Sequence, residues 1–189
     1  MTWKKCRRLI VQDLHRVSHK QYSVGRLLRF LFTNPGFKLV FWFRIGSFLQ
    51  EKRNLLFRIM YLLAFVIHRH YVLQTGIQLP IGTRVGGGIL FPHFSCIVIN
   101  SSSIIGKNVS IFQGVTIGSK RGGGVPKIGD NVVLFAGSKV IGGVTLADNV
   151  KVGANSVVTK DAPAGSVVAG IPAKVISEKG KELSMLYLA

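Results

Sequence analysis

The chain is predicted to be mainly β, a three-sided parallel β-helix behind an α-helical N-terminal region, and two patterns in its 189 residues predict it. The first is a row of aliphatic positions six apart: Ile99, Ile105, Ile111, Ile117, then Ile128, Leu134, Val140, Leu146, Val152 and Val158. A period of six fits neither a helix at 3.6 nor a flat strand at 2, and fixed-period self-similarity marks a stacked repeat. The second is helical spacing in residues 1–75, where the six-fold pattern is missing.

In the front region, helices are expected near 3–19, 23–32, 36–50 and 54–73, with Ser23 as an N-cap and Pro35 opening the third. Residues 1–75 carry 14 Lys and Arg against Asp13 and Glu51, and so supply +12 of the net charge of +18. That excess points to an anionic partner. Aromatic and aliphatic residues run from Phe37 to Leu49 and from Leu55 to Ile67, and the longest charge-free run, Ile59 to Ile67, is nine residues. A spanning helix needs about 20 apolar residues, so helices lying in a membrane interface are expected rather than a crossing segment. The competing reading is that these helices join subunits and leave their Lys and Arg solvated. Nucleic acid is not expected, because no helix-turn-helix, RNA-binding or zinc-finger signature accompanies the charge.

In the repeat region, three hexads make one triangular coil of about 18 residues. Ile99 should then stack with Ile117, Val140 and Val158, Ile105 with Ile128 and Leu146, and Ile111 with Leu134 and Val152. Gly106, Gly118, Gly129 and Gly153 follow inward positions, where a corner calls for positive φ or close backbone approach. The step of 11 between Ile117 and Ile128 marks an inserted loop, SKRGGGVP at 119–126. A division into 1–75, 76–176 and a tail 177–189 follows. Cys6 and Cys96 have no paired spacing, which suits a reducing compartment, and MTWKKCRRLIV lacks a signal peptide's apolar core. A cytoplasmic location, peripheral on the inner membrane face through 1–75, is expected.

Of the five histidines only His93 lies among the repeats, and it lies where the register fails: the step from Phe91 to Ile99 is eight. A histidine in the distorted turn of a regular solenoid is a candidate for chemistry. Imidazole exchanges a proton near neutral pH, as a general base must. A zinc-dependent hydratase on the same solenoid would need three histidines on adjacent coils, and no metal site is expected.

The words TGIQLP, GGGILFPHFSCIVIN, IIGKNVSIFQGVTIG, PKIGDNV, KVGANSVVTKDAP and AGIPAKVI resemble the hexapeptide-repeat acyltransferases, in the serine acetyltransferase-like branch. Within it the chain looks most like the enzymes that O-acetylate capsular and exopolysaccharides, of the colanic-acid type. The resemblance implies a left-handed coil, a homotrimer or a dimer of trimers, and acetyl-CoA as donor. By motif it implies His93 as general base. Gln78 stands where the serine enzymes hold that histidine with an aspartate, and its amide oxygen is a candidate to do the same. Gly118, Ser119, Ala136 and Ala154 match the pantetheine wall, where Phe135 replaces a glycine. Lys174, with Lys160 nearby, matches the phosphoadenosine end, and Lys120 and Arg121 lie in the flap loop.

Pro92 replaces the family's aspartate beside the histidine, and Gly124 and Val125 replace an Arg-His pair before Pro126. Loss of these charged groups suggests a neutral acceptor. The expected activity is therefore O-acetylation of a sugar hydroxyl on a surface polysaccharide or its precursor. Serine O-acetylation, or a non-enzymatic basic scaffold, is the alternative.

Overall fold

A computed structural model describes residues 1–182 of the chain. Four helices come first: α1 (Trp3–Ser18), α2 (Val24–Thr33), α3 (Pro35–Leu49) and α4 (Leu55–Thr75). Each starts on a side-chain oxygen that takes one of the orphan N–H groups of its first turn. Thr2, Ser23 and Asn34 accept from Lys5, Arg26 and Phe37 three residues on, and Asn54 accepts from Leu56. Helix α4 outruns its expected end by two residues and stops at Gly76, whose φ of +68° only glycine adopts freely.

Short strands then wind through three faces. The first holds β1 (Ile77–Gln78), β3 (Ile97–Ile99), β6 (Thr116–Gly118), β9 (Lys139–Ile141) and β12 (Val157–Val158). The second holds β2 (Arg84–Val85), β4 (Ile104–Ile105), β7 (Lys127–Ile128) and β10 (Thr145–Leu146). The third holds β5 (Ser110–Ile111), β8 (Val133–Leu134), β11 (Lys151–Val152), β13 (Val167–Gly170) and β14 (Ala173–Ser177).

All pairings are parallel except β13 with β14. The aliphatic ladders form as the period of six requires. Ile99 pairs with Ile117, Ile117 with Val140 and Val140 with Val158. Ile105 pairs with Ile128 and Ile128 with Leu146; Ile111 pairs with Leu134 and Leu134 with Val152. Strand β14 carries Ser177, so the expected tail 177–189 begins inside a strand, and its residues 183–189 lie outside the described residues.

The corner between the second and third faces divides the work between two residue types. Gly106 and Gly129 do not have positive φ; they are needed because a Cβ would sit 2.6 Å and 2.8 Å from backbone carbons of the next coil. Left-handed conformers fall instead on Asn108, Asn131 and Asn149, whose short amides tolerate them. Their side chains form a ladder, Asn108 donating to Asn131 at 3.2 Å and Asn131 to Asn149 at 3.3 Å.

The helices close one end of the coil. Leu39, Val40 and Phe43 of α3 share a core with Ile77 and Leu79, whereas α1 packs its own Cys6, Ile10 and Leu14 on Phe37. Helix α1 reaches the solenoid through polar groups. Buried Asp13 accepts from Arg44 Nε (2.8 Å) and Nη2 (3.2 Å) and from the backbone N–H of Gly88 (2.7 Å) and Ile89 (3.2 Å). Arg44 also donates to the carbonyls of Val85 and Gly86. Arg16 donates to Ser110 Oγ at 3.0 Å, beside buried Lys151, whose ammonium is pushed down to about 8 by burial and by the Arg16 charge.

Helix α4 has 21 residues and is, by length and composition, long enough to cross a bilayer. Within this helix Arg58 and Arg69 leave ten residues, 59–68, without charge between them, about 15 Å of helix against a hydrocarbon core of about 30 Å. Its inner face is also occupied: Ala64, His68 and Thr75 are buried.

Candidate active site

The eight-residue step from Phe91 to Ile99 is a corner with two residues too many. Leu90 bridges to Ser110 and Val98 pairs with Thr116, so both ends are in register and the surplus is pushed outward between them. His93 sits on this bulge, exposed to solvent. Its ring lies 6.1 Å from that of Phe112 on the next coil, and Phe112 lies 5.5 Å from Phe135 on the coil after. Among the described residues no side-chain hydrogen bond orients the imidazole.

Gln78 does not supply one. It faces away, into a cleft of about 700 Å³ between α4 and the first coil, with His68, Arg69 and Leu79 among the lining residues. Within one protomer Gln78 thus lies in that cleft with no hydrogen bond to the imidazole among the described residues. The sequence spacing of fifteen placed it near the right coil but could not show which way an outward residue on β1 turns.

The candidate donor residues fall on two different corners. Ala136 and Ala154 lie on the corner between the third and first faces, the one that carries His93. Backbone bonds climb it coil by coil, from Gly114 N to Ser95 O, Gly137 N to Gln113 O, and Asn155 N to Ala136 O. Lys174 lies at its far end, opposite Ala169 in the β13–β14 pair. The edge from the coil of His93 to that of β13 spans four coil steps, about 19 Å at strand spacing. Gly118, Ser119 and Lys160 lie on the next corner, across the first face, and so does the loop with exposed Lys120 and Arg121. Ser119 Oγ accepts from Asn100 Nδ2 at 3.4 Å.

One cationic residue was not picked out from the sequence. Lys139 projects from the middle of the first face and donates through Nζ to the carbonyl of Gly114, two residues from Phe112. Its signal was present, a lysine at an outward position of a face whose other strands offer Val98, Thr116 and Val157 in register, but such a residue reads as ordinary surface charge.

The pattern described as "Bacterial transferase hexapeptide (six repeats)" matches residues 126–160. The serine acetyltransferase of Staphylococcus xylosus is 33% identical over 181 residues, which is 94% of this chain and 81% of that protein. The chain belongs to the serine acetyltransferase family. The Synechococcus elongatus family member is 36% identical over 94% of this chain and 71% of its own length. Among solved structures, a serine acetyltransferase in complex with CoA superposes with a TM-score of 0.75 at 28% identity, covering 92% of this chain and 71% of that one. Soybean serine acetyltransferase complexed with serine gives 0.76 at 30% identity, covering 92% and 70%.

Membership makes the chain an acetyltransferase and overturns the polysaccharide reading: the relatives matched over more than nine-tenths of the chain are serine acetyltransferases, so neither a capsular branch nor a sugar acceptor is supported. The earlier expectation rested on the charges absent at Gln78, Pro92 and Val125. Charges missing at these positions do not make the acceptor neutral when other cations, such as Lys139 on the first face, remain.

Proposed function

We propose that the protein is a serine O-acetyltransferase that takes its acetyl group from acetyl-CoA, with His93 as the general base. The observation that carries this is the placement of His93 on a bulged corner, exposed, at the head of the edge that holds Ala136, Ala154 and Lys174. Acetyl-CoA, when bound, supplies an acyl carbon activated as a thioester. His93 accepts the proton of the serine hydroxyl as that oxygen bonds to the acyl carbon, then returns it to the departing sulfur. General-base action of this kind is worth about 10²–10⁴ in rate.

The residues present fit such a donor. Methyl side chains at Ala136 and Ala154 leave the corner backbone open to an extended ligand, which could be held as an added strand is held. Lys174 supplies a cation at the other end for phosphate. Lys139, Lys120 and Arg121 are the cations available to the serine carboxylate. Gly118 and Ser119 lie about 10 Å or more away across the first face, at strand rise, so one protomer does not enclose the ligand. A homotrimer does: around a three-fold axis each protomer offers one corner to a different corner of its neighbour. The site is then shared between subunits.

The test is thiol release from acetyl-CoA with L-serine, with mass spectrometry to identify O-acetylserine, together with light scattering for the assembly. Serine-dependent release is expected, falling about 10²–10⁴-fold in His93→Ala while calorimetric CoA binding persists. Absence of acetyl transfer to serine, or full turnover in His93→Ala, overturns the reading, and a monomeric active enzyme overturns the shared site.

A further inference from the structure

Helix α4 is apolar on the side that its own chain leaves uncovered. Leu55, Ile59, Leu62, Val66 and Leu73 follow helical spacing down that side, all between 57% and 71% exposed, in a stripe about 27 Å long. Helix α2 buries no residue and shows Val24, Leu28 and Phe32 at the same kind of spacing, Phe32 being 78% exposed. Scattered exposed aliphatics are ordinary, but a row of five along one helix is an interaction surface, and α2, which like α4 packs on α3, shows a shorter one.

The charge around these rows selects the partner. Lys52, Arg53, Arg58 and Arg69 border the α4 row, and Arg26 and Arg29 lie on α2. Between Asp13 and Asp130 the sequence holds one acidic residue, Glu51, and that carboxylate pairs with the N-terminal amine. Asp13 itself is buried against Arg44. The helical region thus has no free carboxylate to answer its cations. A second copy meeting this face across a two-fold axis would set arginine against arginine with nothing to offset them. Anionic lipid supplies both missing partners, phosphate for the cations and acyl chain for the aliphatic rows, with each basic residue near the surface worth about 1 kcal/mol.

We infer that α4 docks the protein on the surface of an anionic phospholipid bilayer. The helix lies along the interface instead of crossing it, because its opposite side is packed on α3 and carries buried His68.

The experiment is sedimentation of the full chain with vesicles of phosphatidylcholine alone and of phosphatidylcholine mixed with phosphatidylglycerol. Binding to the mixed vesicles is expected, weakening as salt shortens the screening length. Leu62→Glu with Val66→Glu should weaken it roughly tenfold or more, and Arg58→Glu with Arg69→Glu should remove the preference for the anionic vesicles. Acetyl transfer in solution should be unchanged in both variants, which separates this inference from the reading of His93. No pelleting, or equal pelleting of the variants, overturns it. So does a wild-type assembly that Leu62→Glu with Val66→Glu breaks apart in the absence of lipid, which would assign the face to a second copy.

Discussion

Replacing Asp13 with alanine should be among the most damaging single changes in the chain. Asp13 is 1% exposed and Arg44 is 2% exposed, and the carboxylate receives four N–H groups from α3 and the first coil. Losing it strands a guanidinium in the interior and orphans two backbone donors. Breaking a buried pair from one side costs about 3–5 kcal/mol, far above the 0–1 kcal/mol of an exposed pair. The effect should be larger than the local packing suggests, because the cluster of Cys6, Ile10 and Leu14 is separate from the solenoid core and α1 reaches it through this clamp and the Arg16–Ser110 bond. Urea unfolding followed by circular dichroism, at one fixed protein concentration, measures the loss. Asp13→Leu combined with Arg44→Met should recover much of it, since an apolar pair of similar volume leaves no charge behind. A loss below about 1 kcal/mol for Asp13→Ala would refute the claim that this pair joins the two parts of the fold.

His68 gives a pH signature. Burial pushes its imidazole down from 6.5 to about 4, so between those values the unfolded chain binds a proton that the folded one refuses, and stability falls as pH drops through that window. The loss should reach about 3 kcal/mol by pH 4, read as the difference between wild type and His68→Leu in unfolding titrations. Phe112→Ala should lower kcat more than it raises the acetyl-CoA KM, because the ring packs on the imidazole of His93; equal turnover would remove it as a positioning residue. Cys96 is exposed while burial pushes the Cys6 thiol up to about 11, so iodoacetamide should label Cys96 in the native protein and Cys6 only after denaturation, as peptide mapping would show.

The solenoid was legible because its code is one-dimensional. Each inward aliphatic stacks on the one a coil away, so the spacing alone fixed which residue meets which, from Ile99 through Val158. The bulge that carries His93 was legible for the same reason, as one of the places where the code skips. Less could be read where the outcome depends on side-chain direction or on long-range pairing. Gln78 has the right separation from His93 yet turns toward α4, and Asp13 meets Arg44 across 31 residues with no local signal. The period does put Gly118 and Ser119 after the first-face ladder and Ala136 and Ala154 after the third-face one, but a residue count does not show what completes a groove between those corners. Acceptor identity was misjudged because it was argued from three absent charges, whereas similarity spread along the whole chain carries more information than any one position.

The position of α3 over Ile77 and Leu79 has a further consequence. A stack of identical triangular layers has no natural last layer, and the rim of each is a template for the next. The helical region works as a stopper at one rim, and β14, doubling back antiparallel on β13, works as a hem at the other. An enzyme trimmed to its repeats would therefore be a monomer unit for a growing rod, and the front of the chain is what keeps this catalyst finite.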